Sequence, residues 1–193
     1  MKKPIALGLL LLILAAAGCK PYQYQGTEYP DPEPAADFTL EEAGGGRYQL
    51  SQHQGKVILI FFGYTSCPDV CPVTLSVAKQ VLDGLGDEAD GVEFLFITVD
   101  PERDTAEVMA RHTAAFHPGI TGLLGSPEEL AAVRQAWGIF AEKEPLPDSA
   151  SGYAMNHTAR QFLVDKAGRL RLSYAHATLA EPIIDDIEHL LKE

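Results

Sequence analysis

Cys67 and Cys71, four residues apart in Cys67-Pro68-Asp69-Val70-Cys71-Pro72, are the side chains of this 193-residue chain best placed to do chemistry. At a junction between strand and helix that spacing brings the sulfurs to one side, about one helical turn apart. They can then converge on a single metal ion or oxidise to each other. Pro72 suits a first helical turn, where an amide hydrogen would have no partner within the helix, and Pro68 is compatible with such a start. A helix opening at or just after the pair turns its positive end toward the sulfurs and favours thiolate, the form that binds metal. An inert disulfide is the plainest alternative in an oxidising compartment. General disulfide exchange fits less well. Exchange enzymes of the thioredoxin type carry two residues between their cysteines, where this chain has three. They also place a proline before a later strand, where this chain has Ala159-Arg160-Gln161 ahead of Phe162.

The elements that must position the pair are legible from periodicity. Val57 to Phe62 is an unbroken apolar, β-branched and aromatic run, the pattern of a strand buried on both faces. Beyond the cysteines, Val77, Ala78, Val81, Leu82 and Leu85 follow helical spacing until Gly84 and Gly86 intervene. Val92 to Val99 predicts a second buried strand, and Asp104 with Glu107 resembles a capping box opening a helix to about Phe116. Ile120 to Leu124 leads into a helix from Pro127 to about Trp137. Two hairpins are expected, one around Gly44-Gly45-Gly46 within Phe38 to Leu50, the other turning at Asp165 to Gly168 between Phe162 and Tyr174. Leu179 to Leu191 closes the chain as an amphipathic helix. Alternating strands and helices build a mostly parallel sheet covered on both faces.

Residues 1–18 combine Lys2 and Lys3, an apolar run from Ile5 to Ala17, and Ala16-Ala17-Gly18 directly before Cys19. That is the layout of an export signal, and the small residues before a cysteine resemble the lipobox of bacterial lipoproteins. The resemblance implies acylation of Cys19, although Ala16 stands where such signals usually carry Leu. Residues 19–36, with Pro21, Pro30, Pro32 and Pro34 among polar residues, read as a stiff linker. At about 3.1 Å per residue it would reach roughly 50 Å from a membrane. One folded domain is expected over 37–193. Fifteen Lys and Arg against 27 Asp and Glu leave a formal charge of −12, which offers no basic surface to phosphates and excludes nucleic acid as a partner.

The chain resembles the Sco/SenC family of copper proteins from about Asp37 onward. The resemblance is carried by Phe61-Phe62-Gly63-Tyr64-Thr65 with the cysteine hexapeptide, by Val99-Asp100-Pro101-Glu102-Arg103-Asp104-Thr105, by Thr121 to Ser126, and by Tyr153-Ala154-Met155-Asn156-His157-Thr158. It implies an α/β thioredoxin-like fold, a central mixed sheet flanked by helices. It implies copper, Cu(I) or Cu(II), held by Cys67, Cys71 and His157, with Cys67 and Cys71 able to form a disulfide. The implied partner is the copper-site subunit of cytochrome c oxidase, and the expected location is the periplasmic or outer face of the bacterial cytoplasmic membrane, reached through the lipid anchor. Asn156 stands where the family pattern has Asp.

Donor chemistry agrees with that ligand set. Two thiolates select Cu(I) over hard cations and an imidazole completes a third position, whereas zinc would ask for a fourth ligand that the sequence does not offer. The same cysteine pair also fits a thiol:disulfide oxidoreductase acting on the cysteines of an exported client. Of the remaining candidates, Met155 reads as core packing, as do Trp137 and Phe140. His112 and His117 read as solvated, and His53, His176 and His189 have no evident partners. Asp100, Glu102, Arg103 and Asp104 read as capping and bracing a helix start.

Overall fold

The structure is a computed structural model and describes residues 21–193 apart from 148 and 150. The expected export signal and Cys19 lie outside the described residues. The chain opens with β1 (Thr27–Glu28) and the hairpin of β2 (Thr39–Glu42) and β3 (Arg47–Gln49). It then alternates through β4 (Val57–Gly63), α1 (Val70–Leu85), β5 (Val92–Thr98), α2 (Ala106–Phe116), β6 (Ile120–Leu124) and α3 (Pro127–Ala136). A ribbon of β7 (Ala141–Pro145) and β8 (Tyr153–His157) precedes the hairpin of β9 (Arg160–Val164) and β10 (Leu170–Ala175), and α4 (Ala180–Lys192) ends the fold.

Eight strands form one mixed sheet in the order β1-β10-β9-β4-β5-β6-β2-β3, with β4, β5 and β6 parallel and the other pairings antiparallel. All seven residues of β4 are buried, as a strand with neighbours on both edges and helices on both faces requires. Side chains alternate across it. Phe62 meets Trp137 at the end of α3, with ring centroids 6.1 Å apart, while Phe61 turns to the opposite face toward Phe96. On that second face α1 packs against α2 and α4. The expected thioredoxin-like sandwich is the one observed.

The segment expected as a stiff linker is docked on the domain where it is described. β1 pairs with β10 through Thr27↔Ser173 and Glu28↔Leu172, and the amides of Tyr29 and Ala35 donate to the carbonyls of Arg171 and Gly168, both at 2.9 Å. Ahead of β1, the fully buried Asp186 of α4 accepts hydrogen bonds from the Tyr22 hydroxyl and the Gly26 amide at 2.9 Å each, from the Gln25 amide, and from Tyr174. Tyr22 stacks on His189 at 3.9 Å. The physical reason is the open edge of β10, whose unpaired backbone groups are satisfied by any extended polar segment laid beside them. A polar, proline-rich composition gives no sign of such docking.

Candidate functional site

After Gly63 the chain turns through Tyr64, Thr65 and Ser66 to Cys67 and enters α1 at Val70. Asp69 occupies the N-cap, yet its side chain caps nothing. The Cys67 sulfur instead accepts the Cys71 amide hydrogen at 3.4 Å, satisfying one of the donors that every helix start leaves without an internal partner. Cys71 is fully buried and Cys67 partly exposed; both are reduced. Gly63 makes this packing possible, because a Cβ there would stand 2.9 Å from Cys71 Sγ and 2.6 Å from Phe96 Cε2.

The two thiols are driven apart in acidity. Cys67 is pushed well below the ordinary cysteine range, first because the Cys71 thiol donates to it, then by hydrogen bonds from His157 and from backbone amides, with partial burial opposing. Cys71 is pushed up, because it is the donor in that contact, because it is buried, and because the Cys67 charge lies alongside. The pair therefore holds one proton on Cys71 and a thiolate at Cys67, which is the more accessible sulfur.

His157 arrives from a different part of the fold. It ends β8, and its Nε2 lies 4.0 Å from Cys71 Sγ. Its Nδ1 sits 3.1 Å from the Thr158 carbonyl oxygen, a contact that favours a proton on Nδ1 and turns Nε2 toward the sulfurs. Asn156, next along the strand, is exposed and points to the other side, as strand alternation dictates. The three expected side chains are thus brought together, although they are not drawn in to the spacing a bound ion imposes, and among the described residues no group of three His, Cys, Asp or Glu is.

Several neighbours of the site were not singled out by residue pattern. Tyr64 is buried, meets the His157 ring edge-on at 5.8 Å, and accepts the Met155 amide hydrogen at its hydroxyl. Burial, together with the nearby Cys67 and Cys71 sulfurs, keeps its phenol protonated. Asp104 was expected to cap α2, but Thr105 does so, accepting from the Val108 amide. Asp104 is buried under the cysteine loop, where it accepts from the Thr65 hydroxyl and the Thr98 hydroxyl, each at 2.6 Å, and from the Thr65 amide. The bracing role holds; the braced object is the turn leading to Cys67.

Several histidines differ from expectation. His112 is half-buried between Phe96 and Phe116, its Nε2 finds no partner, and burial holds its pKa down. His117 accepts the Gly119 amide hydrogen and lies 3.5 Å from Asp83, while His53 stacks on Tyr48 beside Glu93. Sequence spacing could have suggested only the His112–Phe116 pair, which is four residues apart on α2; Phe96, Asp83 and Glu93 lie on other elements. Met155 and Trp137 are core residues as expected, whereas Phe140 is 53% exposed, because α3 has ended and the chain has turned outward into β7.

Comparison with known proteins follows the same residues. The bovine (Bos taurus) mitochondrial SCO2 homolog is 36% identical over 156 residues, which is 75% of this chain and 58% of that protein. The chain thus spans less than two thirds of the bovine relative's length. The solution structure of apo Sco1 from Thermus thermophilus superposes with a TM-score of 0.77 at 40% identity, covering 89% of this chain and 99% of that one. ScoI of Bradyrhizobium japonicum, solved with copper bound, gives 0.75 at 38% identity over 82% of this chain and 100% of that one. BsSco, described as having a disulfide switch and as a member of the Sco family of cytochrome c oxidase assembly proteins, shares the fold with a TM-score of 0.67 at 22% identity, over 88% of this chain and 98% of that one. The SCO1/SenC profile matches residues 27–192, from the first strand of the sheet to the last helix, and on that match the chain belongs to the SCO1/SenC family.

Proposed function

We propose that this protein carries copper on Cys67, Cys71 and His157 and delivers it to the binuclear copper site of cytochrome c oxidase during assembly. The observation that carries the reading is the approach of His157 Nε2 to within 4.0 Å of Cys71 Sγ, beside Cys67, whose surroundings favour thiolate. Two soft sulfurs favour Cu(I), and the imidazole supplies a third donor that also suits Cu(II). The family relation supports the same cargo, since a relative at 38% identity was solved with copper bound. In this reading Cys67 engages the ion first, Cys71 gives up its proton to become the second thiolate, and His157 closes the set. Export on an acylated Cys19 would hold the domain at the periplasmic or outer face of the cytoplasmic membrane, where the copper-site subunit of the oxidase is the client.

One observation favours a second reading. An accessible thiolate at Cys67 beside a protonated, buried Cys71 is also the arrangement of an attacking and a resolving thiol. As a thiol:disulfide oxidoreductase the protein would reduce a client disulfide, Cys67 attacking one sulfur and Cys71 displacing the mixed disulfide, so that the Cys67 to Cys71 bond forms as the client's bond breaks.

Anaerobic titration of the reduced protein separates the two. One Cu(I) per chain is expected, lost in Cys67→Ser, in Cys71→Ser and in the oxidised protein. Binding that survives both substitutions overturns the assignment. His157→Ala should weaken Cu(II) binding and impair oxidase maturation while leaving exchange with small thiols intact. Normal maturation in that variant would instead favour the reductase.

A further inference from the structure

The ribbon that carries His157 is not part of the main sheet, for β7 and β8 pair only with each other. Its distance from the cysteine loop is therefore set by whatever fastens it to the body of the domain: the bond from the Met155 amide to the Tyr64 hydroxyl, and a set of contacts that pass through Arg103. The Arg103 guanidinium lies 3.7 Å from the centroid of the Tyr153 ring and 5.6 Å from that of Tyr64. The first ring opens β8 and the second lies three residues before Cys67, so one cation touches both halves of the site. Its Nη1 donates to the Tyr153 carbonyl at 3.0 Å and to the Ser151 carbonyl at 3.3 Å, and its Nε donates to Asp100. The Tyr153 hydroxyl closes the ring of contacts by donating to Asp100 at 2.8 Å. Lys143 of β7, paired with Glu102 and 4.7 Å above the Tyr153 ring, extends the same grip.

We propose that Arg103 is a positioning residue that clamps the β7–β8 ribbon onto the Tyr64 loop and so sets how closely His157 approaches the cysteine pair. The consequence for metal rests on the copper reading above; the clamp itself does not. A lysine cannot replace it, because two carbonyl bonds, a carboxylate pair and a stacked face all use the planar fork of the guanidinium. Because Cu(I) is held mainly by sulfur and Cu(II) draws more on the imidazole, loosening the ribbon should affect the two ions unequally. Outer contacts that orient a ligand typically alter metal affinity by about 10–100-fold.

The test compares wild type, Arg103→Met, His157→Ala and the double variant as reduced full-length chains, with Cu(I) and Cu(II) as probes. Arg103→Met should weaken Cu(II) by about 10-fold or more and leave Cu(I) within about threefold. The double variant should bind Cu(II) no more weakly than His157→Ala alone, since a residue acting through His157 has nothing left to act on. Additive losses, or an unchanged Cu(II) affinity in Arg103→Met, would overturn the proposal. Amide exchange in the metal-free protein supplies the readout that does not depend on copper. Exchange at Met155 and His157 should quicken by about tenfold in Arg103→Met while β4 and β5 stay protected, and unaltered exchange there refutes the clamp. If His157→Ala leaves Cu(II) binding at full strength, the copper role of His157 falls and amide exchange alone decides the clamp. Should Arg103→Met fail to fold, Arg103→Lys keeps the charge without the fork and is read by the same criteria.

Discussion

Gly63→Ala tests whether the fold and the cysteine site are one packing problem. The new methyl would lie 2.6 Å from Phe96 Cε2, 2.9 Å from Phe61 Cε1 and 2.9 Å from Cys71 Sγ, where carbon atoms normally settle at about 3.5–4.0 Å. Each neighbour must therefore retreat by roughly 0.6–1 Å. None has solvent to retreat into, because Phe61, Phe96 and Cys71 are all fully buried. Overpacking of this kind costs about 1–3 kcal/mol, and a domain of this size loses about 2–4 °C of Tm per kcal/mol. The reduced, metal-free variant should accordingly melt roughly 2–12 °C below wild type by circular dichroism, and its Cu(I) affinity should fall because Cys71 is displaced. Gly44→Ala is the control: a Cβ there meets nothing within 4 Å, so its Tm should stay put. A Gly63→Ala protein that melts with wild type would show that β4 does not press against the sulfur as described, and the reasoning would fail.

Asp186→Asn preserves shape but turns N–H groups toward donors, and the buried carboxylate now accepts from Tyr22, Gln25, Gly26 and Tyr174. A loss of about 2–4 kcal/mol is expected, with faster amide exchange at Gln25 and Gly26; unchanged exchange at both would contradict the docked segment. The acid limb of stability should report on Asp165. Burial opposes its ionisation, but the Arg169 amide and the Arg169 and Arg171 guanidinium groups outweigh burial and hold the carboxyl below the usual aspartate value. Its contribution is full above a pH of about 4 and is lost as pH falls through the lowered value. Asp165→Asn should thus be less stable than wild type at neutral pH and show a shallower decline in acid, and parallel acid limbs in urea titrations would count against it.

What could be read from sequence was whatever leaves a periodic or compositional trace. The runs Val57–Phe62 and Val92–Val99 are apolar because they are buried on both faces, and the helical repeat after Cys71 reports the side of α1 that packs on the sheet. The cysteine pair and His157 were recognisable through a resemblance spread over four separate strings. The β7–β8 ribbon left no such trace: Ala141-Glu142-Lys143-Glu144-Pro145 is almost wholly exposed, so its pairing follows from partners and from Arg103 rather than from an apolar face. β1 is two residues long, too short for any alternation to register. Asp104 carried a misleading signal, since an acid three residues before Glu107 looks like a cap when nothing announces that Thr65 and Thr98 lie above it. Tyr64 sat inside the quoted string, yet its task depends on Met155 and His157, which are some ninety positions away in the chain.

The docking of Tyr22 on α4 would also change the mechanics of the anchor proposed at Cys19. A free linker would let the domain roam through a hemisphere tens of ångströms in radius, meeting clients at many heights and in any orientation. With Tyr22 pinned, only Lys20 and Pro21 lie between Cys19 and the folded surface, about 11 Å of fully stretched chain from Cys19 to Tyr22. The domain would then behave as a float riding low on the bilayer, with its flank near α4 toward the lipid and little freedom to tumble. Encounter would become a search in two dimensions, and a client site would have to present itself at the one elevation the float can reach.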